Sequence, residues 1–193
     1  MTDVLWLVTA VGAGYGIGSL SPAAGVSRLR GVDLRTEGSG NPGATNVGRV
    51  LGWPFGVLVG VLDVAKGFAP AVGFGMVDPD LALWAGAAAV LGHVTSPILR
   101  GRGGRGVATA LGAVLAVQPW WALAAVLGFG VTVVLTRWVA LASMVAGVVL
   151  IVAALLAADS TAELVWAVVL AGVVEIRHVP NIARWVRLRR APQ

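Results

Sequence analysis

Apolar residues recur along this chain in long runs, and polar positions collect between the runs rather than alternating within them. Crossing a bilayer as a helix takes about 17–25 apolar residues. Runs of that order fall at about 4–24, 54–76, 81–99, 138–158 and 162–177. Between Arg105 and Arg137 lies a further apolar stretch, interrupted by Gln118-Pro119-Trp120-Trp121. It is too long for one span and suits a hairpin of two shorter helices. The pattern predicts an all-α integral membrane protein with about seven transmembrane helices, or five full spans if the hairpin only dips into the bilayer. A single polytopic domain over 1–193 is expected. The start, Met1-Thr2-Asp3, has no basic region, and the apolar run from Val4 continues into glycine-rich sequence, so it reads as a first span rather than a signal peptide.

Composition strengthens this reading. The 193 residues are 58% hydrophobic and 12% charged, with a mean hydropathy of +0.87. Soluble domains are about a quarter charged, so a water-soluble globule would expose large apolar patches, and a disordered chain is excluded by its apolar content. With no cysteine there is no disulfide, thiolate metal site or cysteine nucleophile. Two histidines without a His-Glu-x-x-His pattern leave zinc catalysis to carboxylates. The Gly-x-Ser-x-Gly elbow of serine hydrolases is missing, as is the His-x4-Asp pattern of many glycerolipid acyltransferases.

The net charge of +5 comes almost wholly from arginine, Lys66 being the one lysine. Placement of the bases at membrane boundaries argues against nucleic acid and for an orientation. Arg28, Arg30, Arg35 and Arg49 follow the first run, and Arg100, Arg102 and Arg105 follow the third. Arg177, Arg184, Arg187, Arg189 and Arg190 follow the last. The opposite ends carry Asp3, Asp78, Asp80, Asp159 and Glu163 without a Lys or Arg. Basic loops stay in the cytoplasm, which puts the N-terminus outside and the C-terminus inside, with either five or seven spans.

Chemistry is then expected in three cytoplasmic segments, about 31–49, 92–109 and 175–187. The first contains Gly38-Ser39-Gly40-Asn41-Pro42-Gly43-Ala44-Thr45-Asn46. Its glycines let backbone N–H groups approach an anion; Ser39, Asn41, Thr45 and Asn46 add neutral donors, and Arg49 a guanidinium fork suited to phosphate. The same composition serves a polar turn between spans. The second contains Arg100-Gly101-Arg102-Gly103-Gly104-Arg105-Gly106, three guanidiniums around a flexible backbone before a predicted helix start. It lacks the Gly-Lys-Ser/Thr ending of a Walker loop, and a basic topogenic anchor is the alternative. His93, just before it, is read as packed where the third helix meets the interface. In the third segment His178, Asn181 and Arg184 recur at three-residue intervals, on one face of a helix. They suit orienting a hydroxyl or a phosphate, or simply ending a last span whose tail seeks anionic lipid. Asp63 and Lys66 lie three apart inside the second span; intramembrane ionisable groups are functional candidates, and mutual neutralisation is the structural alternative.

Taken in order, Gly38–Arg49, Gly92-His93 with Gly101–Thr109, and His178-Val179-Pro180-Asn181-Ile182-Ala183-Arg184 resemble the motifs of the bacterial acyl-phosphate:glycerol-3-phosphate acyltransferase family, PlsY. Asp63, Lys66, Gly18-Ser19 and the stretch from Thr136-Arg137 to Ser143 fit the same pattern. The resemblance implies a seven-helix enzyme of the bacterial cytoplasmic (inner) membrane with its active site facing the cytoplasm. It would move a fatty acyl group from acyl phosphate to the 1-hydroxyl of glycerol 3-phosphate, giving lysophosphatidic acid and phosphate, without a cofactor.

By motif position the resemblance assigns Ser39, Thr45, Asn46 and Arg49 to substrate phosphate, beside Gly40 and Asn41. Arg105, with Arg102, Gly103 and Gly104, would neutralise the acyl phosphate. His178 and Asn181 would orient the glycerol phosphate hydroxyls, with Ser143 and Arg184 nearby. The hydroxyl proton would pass to His178 or to a substrate phosphate oxygen. Two departures stand out: Arg102 and Arg105 occupy the family's usual lysine positions, and in Gly18-Ser19-Leu20-Ser21-Pro22 the proline comes one position late. Beside the acyltransferase stand a relative with another donor or acceptor or with no activity, and a membrane transporter or binder of phosphorylated metabolites. No nucleic acid partner is expected. A monomer is compatible with the absence of heptads, although contacts in the membrane plane leave little trace in sequence.

Overall fold

The computed structural model of the chain describes the backbone over residues 2–190 and side chains over 3–182. All regular structure among these residues is helical: α1 Thr2–Ser19, α2 Pro22–Leu29, α3 Ala44–Leu51, α4 Trp53–Gly75, α5 Pro79–Thr95, α6 Val107–Val117, α7 Pro119–Thr136, α8 Val139–Ala157 and α9 Thr161–Arg190. The helices form two compact units, Met1–Pro119 and Trp120–Gln193.

Helix boundaries follow from caps and prolines. Ser21 accepts the Ala24 N–H at 3.2 Å with Pro22 in the first turn of α2, so the late proline serves as a helix start, where its missing N–H costs nothing. Asp78 caps α5 in the same way, accepting from the Asp80 N–H at 2.8 Å behind Pro79. Pro119 likewise opens α7 and separates it from α6, dividing the apolar stretch between Arg105 and Arg137 into two helices. Ser160 accepts from the Glu163 N–H while the Glu163 carboxylate accepts from the Asp159 N–H, both at 3.2 Å, a reciprocal cap on α9.

In the first unit α5 is the central helix, packed by α1, α4 and α6, with α3 lying on α4. Small residues bring the backbones together. A Cβ at Gly14 or Gly18 of α1 would collide with the Ala85 or Ala89 carbonyl of α5, and one at Gly67 of α4 with the Thr109 carbonyl of α6. Helices surrounded by lipid gain little from burying apolar groups against each other, so close backbone contact through Gly and Ala is how they associate. In the second unit α8 packs on α9, where a Cβ at Gly147 would lie 2.7 Å from the Glu175 carboxylate. Outward positions are apolar, among them Val4, Leu5 and Val8 of α1, Val61 of α4 and Leu155 and Leu156 of α8.

Among the described residues five helical stretches are long and apolar enough to cross a membrane: Asp3–Leu29, Trp53–Gly75, Pro79–Leu99, Pro119–Thr136 and Val139–Ala157. The run expected at 162–177 falls within α9, which carries Glu163, Glu175 and Arg177 and is outside that set. Helix α6 has 11 residues, about 16 Å at 1.5 Å per residue, short of a hydrocarbon core of about 30 Å.

Candidate active site

The first polar loop turns back on itself before α3. Gly38 and Gly40 adopt φ of +61° and +71°, a region that costs L-residues with a Cβ. The turn brings Ser39 against Asn46, whose Oδ1 accepts the Ser39 N–H at 2.8 Å while its Nδ2 donates to the Glu37 carbonyl at 3.1 Å. Asn46 is 2% exposed. Both ends of its amide are engaged within the loop, where it braces the backbone at Ser39 and Glu37. On the same short helix Thr45 and Arg49, four residues apart, are exposed and share a face. Helix α3 opens at Gly43 without a side-chain cap, so its first N–H groups point outward with the positive end of the dipole. Gly40 and Asn41 are half-buried, and a Cβ at Gly43 would lie 2.7 Å from the Asn41 amide nitrogen.

The second loop is anchored from outside itself. After a 3-10 turn at Pro97–Leu99 the chain passes Arg100 and Gly101 at positive φ (53° and 75°) and enters α6 through Gly106, also left-handed at 86°. The Gly103 N–H donates to the Val94 carbonyl at 3.1 Å, and Ser96 donates to the Ser19 carbonyl at 2.6 Å. Gly103 and Gly104 are buried, Arg105 is half-buried and Arg102 is exposed. A Cβ at Gly103 would strike the His93 carbonyl, and one at Gly104 the His93 imidazole; this close packing is why the loop needs two consecutive glycines. Arg35 Nη2 donates to the Leu99 carbonyl at 3.5 Å, joining the two loops. Ser39, Thr45, Arg49, Arg102 and Arg105 all lie in the first compact unit, which holds two uncapped helix starts, Gly43 and Gly106.

Beneath the second loop lies a contact that spacing did not reveal. Asp63 and Lys66 pair at 3.0 Å as expected for residues three apart, and Lys66 Nζ also lies 2.9 Å from His93 Nδ1, 27 residues away. The expectation of a packed His93 holds, since it is 8% exposed. Only the packing of α4 on α5 joins it to the ion pair. Among the described residues no three His, Asp or Glu side chains are grouped so as to hold a metal ion.

The remaining candidates lie in the second unit. Helix α9 continues through Pro180, with His178 and Asn181 three residues apart on it. His178 is 1% exposed, and its Nδ1 lies 2.7 Å from the Val174 carbonyl. A carbonyl oxygen only accepts, so Nδ1 carries a proton, and in the neutral form of such a ring Nε2 is the acceptor. Asn181 is half-buried. Ser143, on α8, is 3% exposed and donates to the Val139 carbonyl at 2.9 Å. The side chain of Arg184 lies outside the described residues.

Residues 8–188 match the glycerol-3-phosphate acyltransferase family. The chain belongs to this family. A glycerol-3-phosphate acyltransferase of Aquifex aeolicus is 41% identical over 174 residues, covering 88% of this chain and 90% of that relative. One from Trichlorobacter lovleyi is 38% identical, covering 95% and 93%. Among solved structures, the glycerol 3-phosphate form of PlsY, an integral membrane glycerol 3-phosphate acyltransferase, matches with a TM-score of 0.91 and 37% identity over 97% of this chain and 95% of that one. Its lysophosphatidic acid form gives 0.88 at the same identity, covering 96% and 94%. The acyltransferase match crosses both compact units, so both belong to one family fold, and the protein is an integral membrane enzyme.

Proposed function

We propose that Ser39, Thr45 and Arg49 of the first loop and Arg105 of the second hold the phosphate groups of the two substrates, with His178 and Asn181 orienting the acceptor. The enzyme transfers a fatty acyl group from acyl phosphate to the 1-hydroxyl of glycerol 3-phosphate. The observation that carries this reading is the 0.91 TM-score to PlsY in its glycerol 3-phosphate form across 97% of the chain.

An acyl phosphate is a mixed anhydride and already activated, so the protein need not supply a covalent nucleophile. The acceptor hydroxyl oxygen attacks the acyl carbon, the bond from that carbon to the phosphate oxygen breaks, and inorganic phosphate leaves as lysophosphatidic acid forms. The chain's contribution is proximity and charge: it holds two anionic substrates side by side against their repulsion and aims donors at the charge that develops. Arg105 at the usual lysine position keeps the charge and offers two parallel donors instead of a point charge. Asn46 acts through Ser39. The ring of His178, with Nδ1 committed to the Val174 carbonyl, takes the hydroxyl proton on Nε2.

The reading also takes α1, α4, α5, α6, α7, α8 and α9 as seven membrane helices, α6 and α9 completing the five long apolar stretches. The N-terminus is then outside and the C-terminus in the cytoplasm of a bacterial inner membrane, with both glycine loops and Arg137 on the cytoplasmic side.

The test is phosphate release from palmitoyl phosphate by detergent-purified protein, with and without glycerol 3-phosphate. Release that depends on acceptor and yields lysophosphatidic acid is expected. Acceptor-independent release would point to hydrolysis, and none from folded protein would refute the assignment.

A further inference from the structure

The buried ion pair of α4 is used by no step above. Lys66 is 6% exposed and Asp63 3%, and a plain neutralising pair would be complete at their 3.0 Å contact. Lys66 does more. Its Nζ donates to the Gly18 carbonyl at 3.1 Å and the Leu20 carbonyl at 2.6 Å, where α1 ends, and meets His93 Nδ1 at 2.9 Å. An ammonium group has three N–H donors and no acceptor; the two carbonyls take two of them, and the Asp63 oxygen makes an ion-pair contact without a hydrogen bond, so the imidazole nitrogen facing the third accepts. The competing arrangement, an Nδ1–H given to Asp63, would span 3.6 Å, beyond hydrogen-bond length. With its lone pair on Nδ1, the neutral ring carries its proton on Nε2. That nitrogen faces Gly104 so closely that a Cβ there would collide with it.

We propose that Lys66 is a positioning residue for the transfer: it holds His93 as the Nε2–H tautomer, and that N–H fixes the Gly103–Gly104 turn that carries Arg105. The two histidines are thereby set oppositely, His93 as a donor toward the loop and His178 as an acceptor at Nε2. Asp63 supplies the counter-charge inside the helix packing, and the Gly18 and Leu20 carbonyls fix where the Lys66 Nζ sits. The inference rests on the reading above in taking the loop of Arg105 as a phosphate site.

Two measurements test it. Nitrogen-15 NMR of histidine-labelled protein, with the His93→Gln variant assigning the two rings, reads which nitrogens carry protons. For His93 a protonated Nε2 and an unprotonated Nδ1 are expected, and the reverse pattern overturns the proposal. Kinetics of two variants then ask what the proton does. His93→Gln keeps a donor near the Nε2 position and should stay within about threefold of the parent, whereas His93→Asn keeps only an atom near Nδ1. The latter should raise KM for palmitoyl phosphate about tenfold with little change in kcat, the scale of one lost positioning hydrogen bond. Equal behaviour of the two variants, or a loss in His93→Asn that merely follows a lowered melting temperature, overturns it as well. An inactive parent would count against the function proposed above, and the nitrogen pattern would still decide the relay.

Discussion

The two glycine loops are alike in form and differ in what holds them. Both turn the chain through left-handed glycines and both open a helix without a side-chain cap; Arg105 stands beside the second opening, whereas Arg49 lies in the last turn of α3. The first is held from within its own segment: Asn46 reaches back seven residues to Ser39 and nine to Glu37, and the Arg35 N–H closes on the Asp33 carboxylate at 2.9 Å. The second is held by other helices, through the Val94 carbonyl, the His93 ring above Lys66, and the Ser96 bond to Ser19. A loop tied locally keeps its shape whenever its own residues are present. One tied through tertiary contacts depends on α1, α4 and α5 being correctly packed.

Perturbations should separate the two. The largest effect on stability is expected from Lys66→Met, which leaves Asp63 buried without its counter-charge at a cost of about 3–5 kcal/mol. Thermal unfolding in detergent should show it, and Asp63→Asn added to it should restore much of the loss. If the single variant melts like the parent, the second loop does not depend on the pair. Arg49→Ala and Asn181→Ala should each lower transfer at least about 100-fold, the scale of losing a group aimed at developing or bound charge, while the protein still inserts and melts normally.

Gly104→Ala comes next. Its Cβ meets the His93 ring, so overpacking should cost about 1–3 kcal/mol and displace Arg105. Gly101→Ala has open space around it and pays only for φ +75°, about 1–2 kcal/mol, with transfer per folded molecule unchanged. Asn46→Ala should cost about 1–3 kcal/mol by stranding its partners, with faster amide exchange confined to residues 34–46; exchange spreading into α5 would break the contrast between the loops. The smallest effect is expected at exposed Arg102, where alanine should cost less than about fivefold in kcat/KM, against about 100-fold at half-buried Arg105.

Much of the architecture was legible because lipid imposes a simple rule on sequence. The apolar runs, the break at Gln118-Pro119 and the first two polar segments reappear as helices and loops near the positions read from the chain, while the third polar segment lies inside α9. Where the reading fell short, the deciding contacts were distant or directional. Ser21 and Pro22 looked like a displaced motif and are a helix cap. The inward bonds of the Asn46 amide to Ser39 and Glu37 depend on the return of the loop, which spacing does not show.

What the sequence determined by itself was the membrane class, the helical segments, the basic loops and, through motif order, the family, since each depends on residue type and spacing along one chain. Only the tertiary structure decided which way Asn46 faces, why two glycines follow Arg102, and that Lys66 meets His93. Hydrogen bonds depend on distance and direction to within tenths of an ångström. For groups 27 residues apart on different helices, those are set by how the helices pack.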